Sequence, residues 1–220
     1  MAKPQEEEPE GLVYRRGLVS EAEERALLER LASLRFDPIV IRGQTARRTA
    51  RHFGLDYDYE ARTPQPGEPI PVWLDPIRER AAELAGLKPD DFVEALVQRY
   101  PAGSTIGWHR DAPSFGIVVG ISLQGASRLR FQRGKGDDRR VWEVLLEPRS
   151  GYVLAGKART SWQHSIPPTK EPRYSITFRT LRARPGTAAL GRLGPPSLAR
   201  ARDPAFTRTQ DLSASSYQRP

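Results

Sequence analysis

The 220-residue chain contains no cysteine, which excludes a disulfide framework, a thiolate metal site and a cysteine nucleophile. No apolar run approaches the roughly 18 to 20 residues that a membrane-spanning helix requires, so no membrane partner is expected. The start, Met1-Ala2-Lys3-Pro4 running into Glu6, Glu7 and Glu8, lacks the basic-then-apolar order of a secretory signal. An intracellular, cytoplasmic protein is the simplest expectation. Histidine is also scarce, at three residues, and two of the three fall in the pattern on which the functional reading turns.

Lysine supplies only five of the 35 basic residues, yet the net charge is +8 and the pI about 10.1. The stretch after Thr180 carries +5 and the first ten residues −3, which leaves +6 on the body of the chain. A body this basic favours a polyanion, nucleic acid first, because neutralising phosphates releases counterions. Codon bias in a GC-rich genome is the competing origin, since it enriches Arg, Ala, Gly and Pro without any function.

This length supports one sizeable core. The composition divides it into an acidic, disordered start over 1–10, one domain over 11–182, and a basic, Pro- and Gly-rich disordered tail over 183–220. Ser20 is placed to cap a helix over Glu21 to Leu34, and Pro76 to Leu87 reads as a second helix with Gly86 near its end. Residues 36 to 71 mix Arg, aromatic, Pro and Gly residues and predict short strands and loops, with a lid at about 42–71. From Phe92 onward the texture is β, with strand-like runs at Ala95 to Tyr100, Ile117 to Leu123, Arg128 to Arg133, Val141 to Leu146, Tyr152 to Leu154 and Tyr174 to Leu181. Many short strands without intervening helices imply a sandwich or jelly roll over about 92–182. The fold class is mainly β with flanking helices (α+β).

His109 and Asp111 in Gly-Trp-His-Arg-Asp are two residues apart, so on one strand both would face the same side and could chelate one ion. His164 in Trp-Gln-His-Ser-Ile supplies a third ligand from a distant strand. Two imidazoles and one carboxylate on one face of a metal suit a non-haem Fe(II) oxygenase and leave positions for co-substrate and O₂. Zinc hydrolysis is the competing reading of such a set. The run Arg173-Tyr-Ser-Ile-Thr-Phe-Arg179 decides against it. Tyr174, Ile176 and Phe178 share one face, and Arg173, Ser175, Thr177 and Arg179 share the other. An arginine held beside the metal offers bidentate donors to the far carboxylate of a 2-oxo dicarboxylic acid. Six residues of strand span about 20 Å, so Arg173 is the safer of the two.

His-x-Asp, then His, then Arg-x-Ser-x-Thr-x-Arg together resemble the AlkB family of Fe(II)/2-oxoglutarate-dependent dioxygenases, from about Arg42 to Arg182. The resemblance implies a double-stranded β-helix, cupin-like, with His109, Asp111 and His164 as catalytic iron ligands. It implies that Arg173, Arg179, Ser175, Gln98 and Tyr100 hold 2-oxoglutarate, with O₂ the other co-substrate. Ser175 and Gln98 stand where the family usually has Asn, and Pro113 where some members have an acidic residue near the target base. The implied reaction is oxidative demethylation of N-alkylated bases in nucleic acid, as DNA repair or RNA or tRNA modification, by a monomer acting on a single strand or a flipped base. The stretch from Arg47 to Tyr59 resembles the family's nucleotide-recognition lid. Arg48 and Arg51 would grip phosphates there, and His52, Phe53, Tyr57 and Tyr59 would contact bases. Trp108 would wall the pocket or lie in the core. The alternatives are an oxygenase acting on a protein or small molecule, and a nucleic-acid-binding protein with a vestigial iron site.

Overall fold

Capping residues and apolar alternation mark the two longer helices and several of the strands locally. A computed structural model describes residues 5–41, 43–58 and 63–182; the tail expected over 183–220 lies outside them. In chain order the elements are β1 (Gln5–Glu6), β2 (Leu12–Arg15), α1 (Glu21–Ala32), β3 (Asp37–Ile41), β4 (Gln44–Asp58), β5 (Thr63–Pro66), α2 (Asp75–Ala85), β6 (Phe92–Tyr100), β7 (Ile106–His109), β8 (Phe115–Leu123), β9 (Ser127–Arg133), β10 (Arg140–Leu146), β11 (Gly151–Leu154), α3 (Gly156–Thr160), β12 (Gln163–Ile166) and β13 (Arg173–Leu181). Ser20 starts α1 through a capping box: its Oγ accepts from the Glu23 N–H at 3.2 Å, and the Glu23 carboxylate accepts from the Ser20 N–H at 2.8 Å. Pro76 lies in the first turn of α2, and Gly86, at φ 67°, ends it in the left-handed conformation.

The strands form two sheets. Five run in the order β1-β10-β9-β12-β7, and eight follow the path β2-β11-β8-β13-β6-β4-β3 with β5 beside β4. Tyr100, Val118 and Leu154 of the larger sheet pack with Leu129, Phe131, Leu146 and Ile166 of the smaller one, so the two enclose a shared interior. The other face of the larger sheet, including Val97, Val119, Ile121, Ile176 and Phe178, is covered by Leu27 and Leu31 of α1 and Ile77 and Ala81 of α2. Each Val, Leu, Ile or Phe among them contributes roughly 1.5 to 3 kcal/mol by leaving water. This is the expected jelly roll with flanking helices.

β13 lies between β8 and β6 and shows the predicted alternation. Ile176 and Phe178 are fully buried toward the helices, while Arg173, Ser175, Thr177 and Arg179 face a cavity between the sheets.

Three expectations are corrected. Residues 36–71 are not mainly irregular, because β4 runs for 15 residues paired with β3 and β6. Its regularity is imposed by partners distant in sequence, and its Arg-rich composition hides the period. The acidic start is ordered from Gln5: β1 pairs in parallel with Arg140 and Val141, and the Glu7 carboxylate lies between Arg133 and Arg140. The two strands assumed for the histidines, β7 and β12, are only four residues each, lie outside the strand-like runs read from local texture, and pair with each other in the smaller sheet.

Candidate metal and co-substrate site

β7 and β12 are the strands that carry the histidines. His109, the last residue of β7, lies directly opposite His164 of β12, with ring centroids 4.2 Å apart. A bulge follows, in which Gly107 and Trp108 of β7 stand against Ser165 alone of β12 before Ile106 meets Ile166. Such bulges re-aim side chains at the rims of β structures. Here it lets Ile106 and His109 both face the cavity while Trp108 turns outward, 41% exposed. Trp108 is therefore neither pocket wall nor core. The His109 Nδ1 donates to the Gly107 carbonyl at 3.0 Å, which leaves the Nε2 lone pair for a metal.

Asp111 lies past the end of β7, so it does not share a strand face with His109 as the spacing predicted. Its loop is held in place by Arg159 of α3, a buried residue whose guanidinium donates to the Ala112 and Phe115 carbonyls at 2.6 and 2.9 Å. Ligand atoms of His109, Asp111 and His164 lie within 4.8 Å of one another. The Asp111 Oδ2 is buried without a hydrogen-bond partner among the described residues, 3.9 Å from the His164 Nε2. A carboxylate oxygen and an imidazole nitrogen left facing each other in this way fit a shared cation.

Burial and the surrounding charges keep Asp111 and His164 in forms that can bind a metal. Burial alone would raise the Asp111 carboxyl, but Arg179, His164, His109 and Arg159 outweigh it and lower the group to about 2. Burial lowers His164 to about 4; Asp111 opposes this, and His109, Arg159 and Arg179 add to it. At neutral pH the set is one carboxylate with a neutral His164.

On the facing wall, Arg173 is buried and stacks 4.7 Å from the Tyr100 ring centre. Its Nη2 donates to the Ser122 Oγ at 3.0 Å, while Nε and Nη1 have no hydrogen-bond partner among the described residues. A buried guanidinium with two unused donors and no carboxylate paired with it among the described residues is costly unless an anion completes it. Tyr100 donates to the Gln98 Oε1 at 2.6 Å, and Ser175 reaches the Tyr100 hydroxyl at 3.5 Å. These residues meet because β13 and β6 pair Arg173 with Tyr100 and Ser175 with Gln98. Arg179 lines the same cavity at the metal end, donating to Glu94 at 2.8 Å and lying 3.5 Å from Asp111. The arginines thus take separate ends of the site.

The lid residues are brought together less well. Phe53 is in the core, edge-on to Trp73, and so is not available to stack on a base. Arg51 is paired with Asp37 and Glu68 and lies over the Phe53 ring. His52 meets Glu94 through Nδ1 at 3.0 Å. Arg48 donates to the Thr105 carbonyl at 3.2 Å. Tyr57 contributes backbone to β4, and Tyr59 lies outside the described residues. The sequence reading missed Arg159, Glu94 and Tyr152. A lone arginine in a short helix carries no sequence signal. Glu94 does, as an acid in the apolar run Phe-Val-Glu-Ala-Leu-Val that needs a buried partner. Tyr152 lines the cavity, and burial raises its hydroxyl above the usual range.

The 2OG-Fe(II) oxygenase superfamily profile matches residues 11–179. Among curated proteins the chain is 28% identical over 127 residues to uncharacterized protein L905 of Acanthamoeba polyphaga mimivirus, covering 51% of this chain and 59% of that one. It is 27% identical to the Mus musculus tRNA (carboxymethyluridine(34)-5-O)-methyltransferase ALKBH8, covering 74% of this chain and 25% of that protein. It is also 27% identical to the Arabidopsis thaliana alkylated DNA repair protein ALKBH8 homolog, covering 64% and 51%. The chain thus spans from a quarter to about three-fifths of the length of these relatives. Among solved structures, that of OsALKBH1 superposes with a TM-score of 0.60 at 18% identity, over 80% of this chain and 99% of that one. A 2OG-Fe(II) oxygenase family oxidoreductase from Burkholderia pseudomallei gives 0.52 at 18%, over 79% and 86%. With the triad, the unsatisfied arginine and the two-sheet frame in place, the chain belongs to the 2OG-Fe(II) oxygenase superfamily and within it is of the AlkB type, a dioxygenase using Fe(II), 2-oxoglutarate and O₂.

Proposed function

We propose that this dioxygenase oxidatively dealkylates N-alkylated bases in nucleic acid, in DNA repair or in RNA or tRNA modification. The observation that carries the reading is the position of the basic strand. Arg48 of β4 reaches the Thr105 carbonyl one residue ahead of β7, so a guanidinium stands beside the strand that ends in His109. The names of the relatives, one a tRNA methyltransferase and one an alkylated DNA repair protein, point the same way.

In this reading His109, Asp111 and His164 hold Fe(II), and Arg173 takes the far carboxylate of 2-oxoglutarate through its two unused donors, with Gln98, Tyr100 and Ser175 beneath it. When bound, iron with 2-oxoglutarate and O₂ supplies the oxidation of an N-methyl carbon to the carbinol, which leaves as formaldehyde while succinate and CO₂ are released. The chain contributes placement and exclusion of water. Arg179 and Arg159 keep Asp111 ionised, and the packed walls formed by Val118, Leu129 and Ile166 close the cavity.

The test is mass spectrometry of methylated nucleosides after incubation with Fe(II), 2-oxoglutarate and single-stranded DNA or RNA carrying 1-methyladenine or 3-methylcytosine. Methyl loss that His109→Ala abolishes supports the proposal. Steady succinate formation without methyl loss refutes it and favours the second reading, an oxygenase acting on a protein or small molecule. That reading draws on the engagement of Arg51, His52 and Phe53 within the protein, which leaves fewer lid groups for a base.

A further inference from the structure

The register of the smaller sheet sorts its side chains into two populations. His109, His164, Phe131 and Trp142 lie opposite one another across β7, β12, β9 and β10 and face the interior. The neighbouring positions must then face out. On that outer side Arg128 and Arg130 both pair with Glu143, and Arg139 donates to Gln132 at 3.0 Å. Two arginines share one carboxylate and remain 61% and 47% exposed, so the face keeps a positive excess. Trp108 is exposed and adjoins the ligand His109 in sequence, but the bulge turns it away from the cavity. An exposed indole on a cationic sheet face combines a stacking surface with phosphate partners.

We infer that this outer face is a track for the single-stranded nucleic acid flanking the target base, with Trp108 stacking on a neighbouring base and Arg128 and Arg130 holding phosphates. This rests on the nucleic-acid reading above. β7 is the edge strand of its sheet, so a polynucleotide can turn around it, with one base at the triad on the inner side and the next over Trp108 on the outer side. The charge excess fits a polyanion, and the lone indole fits bases read by stacking rather than by sequence. The track adds a binding element outside the lid, where Phe53 and Arg51 are already engaged.

The experiment is fluorescence anisotropy of the full chain, with Fe(II) and 2-oxoglutarate under anaerobic conditions, titrated into labelled single-stranded DNA and RNA of about 15 nucleotides. Trp108→Ala should weaken binding about tenfold, and Trp108→Phe, which keeps a stacking face, should restore most of it. Arg128→Ala with Arg130→Ala should flatten the slope of log affinity against log salt by roughly 0.7 for each phosphate that is no longer neutralised. Parent binding with unchanged affinity and salt slope in these variants would overturn the track and leave the proposed function standing. A parent that binds neither strand overturns both. Weakened binding in Trp108→Ala without recovery in Trp108→Phe also counts against stacking, because both variants remove the indole N–H and only one keeps the aromatic face.

Discussion

At the scale of single residues the site is organised by arginines in unequal states of satisfaction. Arg173 is buried with two unused donors, whereas Arg159 turns its Nη2 to two carbonyls of the loop that carries Asp111. Arg173→Gln should raise the KM for 2-oxoglutarate by about 10- to 100-fold, the value of a charge-assisted bidentate contact, as read from succinate formation against co-substrate concentration. An unchanged KM would make Arg173 a structural cation only. Arg159→Met should act through the metal instead. With the loop loosened, Fe(II) affinity should fall by roughly 10- to 100-fold, measured by metal titration, while the 2-oxoglutarate KM at saturating metal changes little. The first of these residues was legible because Arg173 and Arg179 bracket a strand of clean alternation. The second was not, because what matters about Arg159 is which carbonyls it reaches 44 and 47 residues away.

The elements divide in the same way. The capped helices and most strands from β8 onward could be read from local signals: Ser20 with Glu23, Pro76 with Gly86, and the apolar run of β8. β7 and β12 could not, since Ile-Gly-Trp-His and Gln-His-Ser-Ile are four residues each and neither has a strand period. Their pairing with each other and with β9 creates them, and the bulge between them could be seen only after the register was known. A glycine inside β8 gives a test at this scale. A Cβ on Gly120 would collide with the ring of Tyr152 on the neighbouring β11. Gly120→Ala should therefore cost about 1 to 3 kcal/mol as overpacking, seen as a lower urea midpoint at unchanged m. Because Tyr152 also lines the cavity, the same variant should lose turnover when assayed well below its melting temperature. Full activity and stability would show that the ring has somewhere else to go.

Across the whole molecule, the site exists only where the two sheets face each other. The histidines come from the five-stranded sheet and the arginines from the eight-stranded one. That arrangement ties folding to protonation. In the metal-free protein His164 titrates at about 4, whereas the unfolded chain would bind that proton near 6.5. Between these values the unfolded state holds more protons, so stability must fall as pH drops from about 6.5 to about 4. A separation of about 2.5 pH units corresponds to on the order of 3 kcal/mol. Asp111, lowered to about 2 from 3.8, adds a further loss only below about pH 4. Urea denaturation of the metal-free chain at pH 7, 5.5 and 4.5 should show a steadily falling midpoint, and His164→Gln should flatten the decline in that window. Saturating Fe(II) under anaerobic conditions should raise the midpoint at pH 7, because only the folded chain brings His109, Asp111 and His164 together. Its benefit should shrink toward pH 4, as protons begin to compete for the His164 nitrogen. A midpoint independent of pH between 6.5 and 4.5 in the metal-free chain would mean that His164 is solvated in solution and that the two sheets do not close over it.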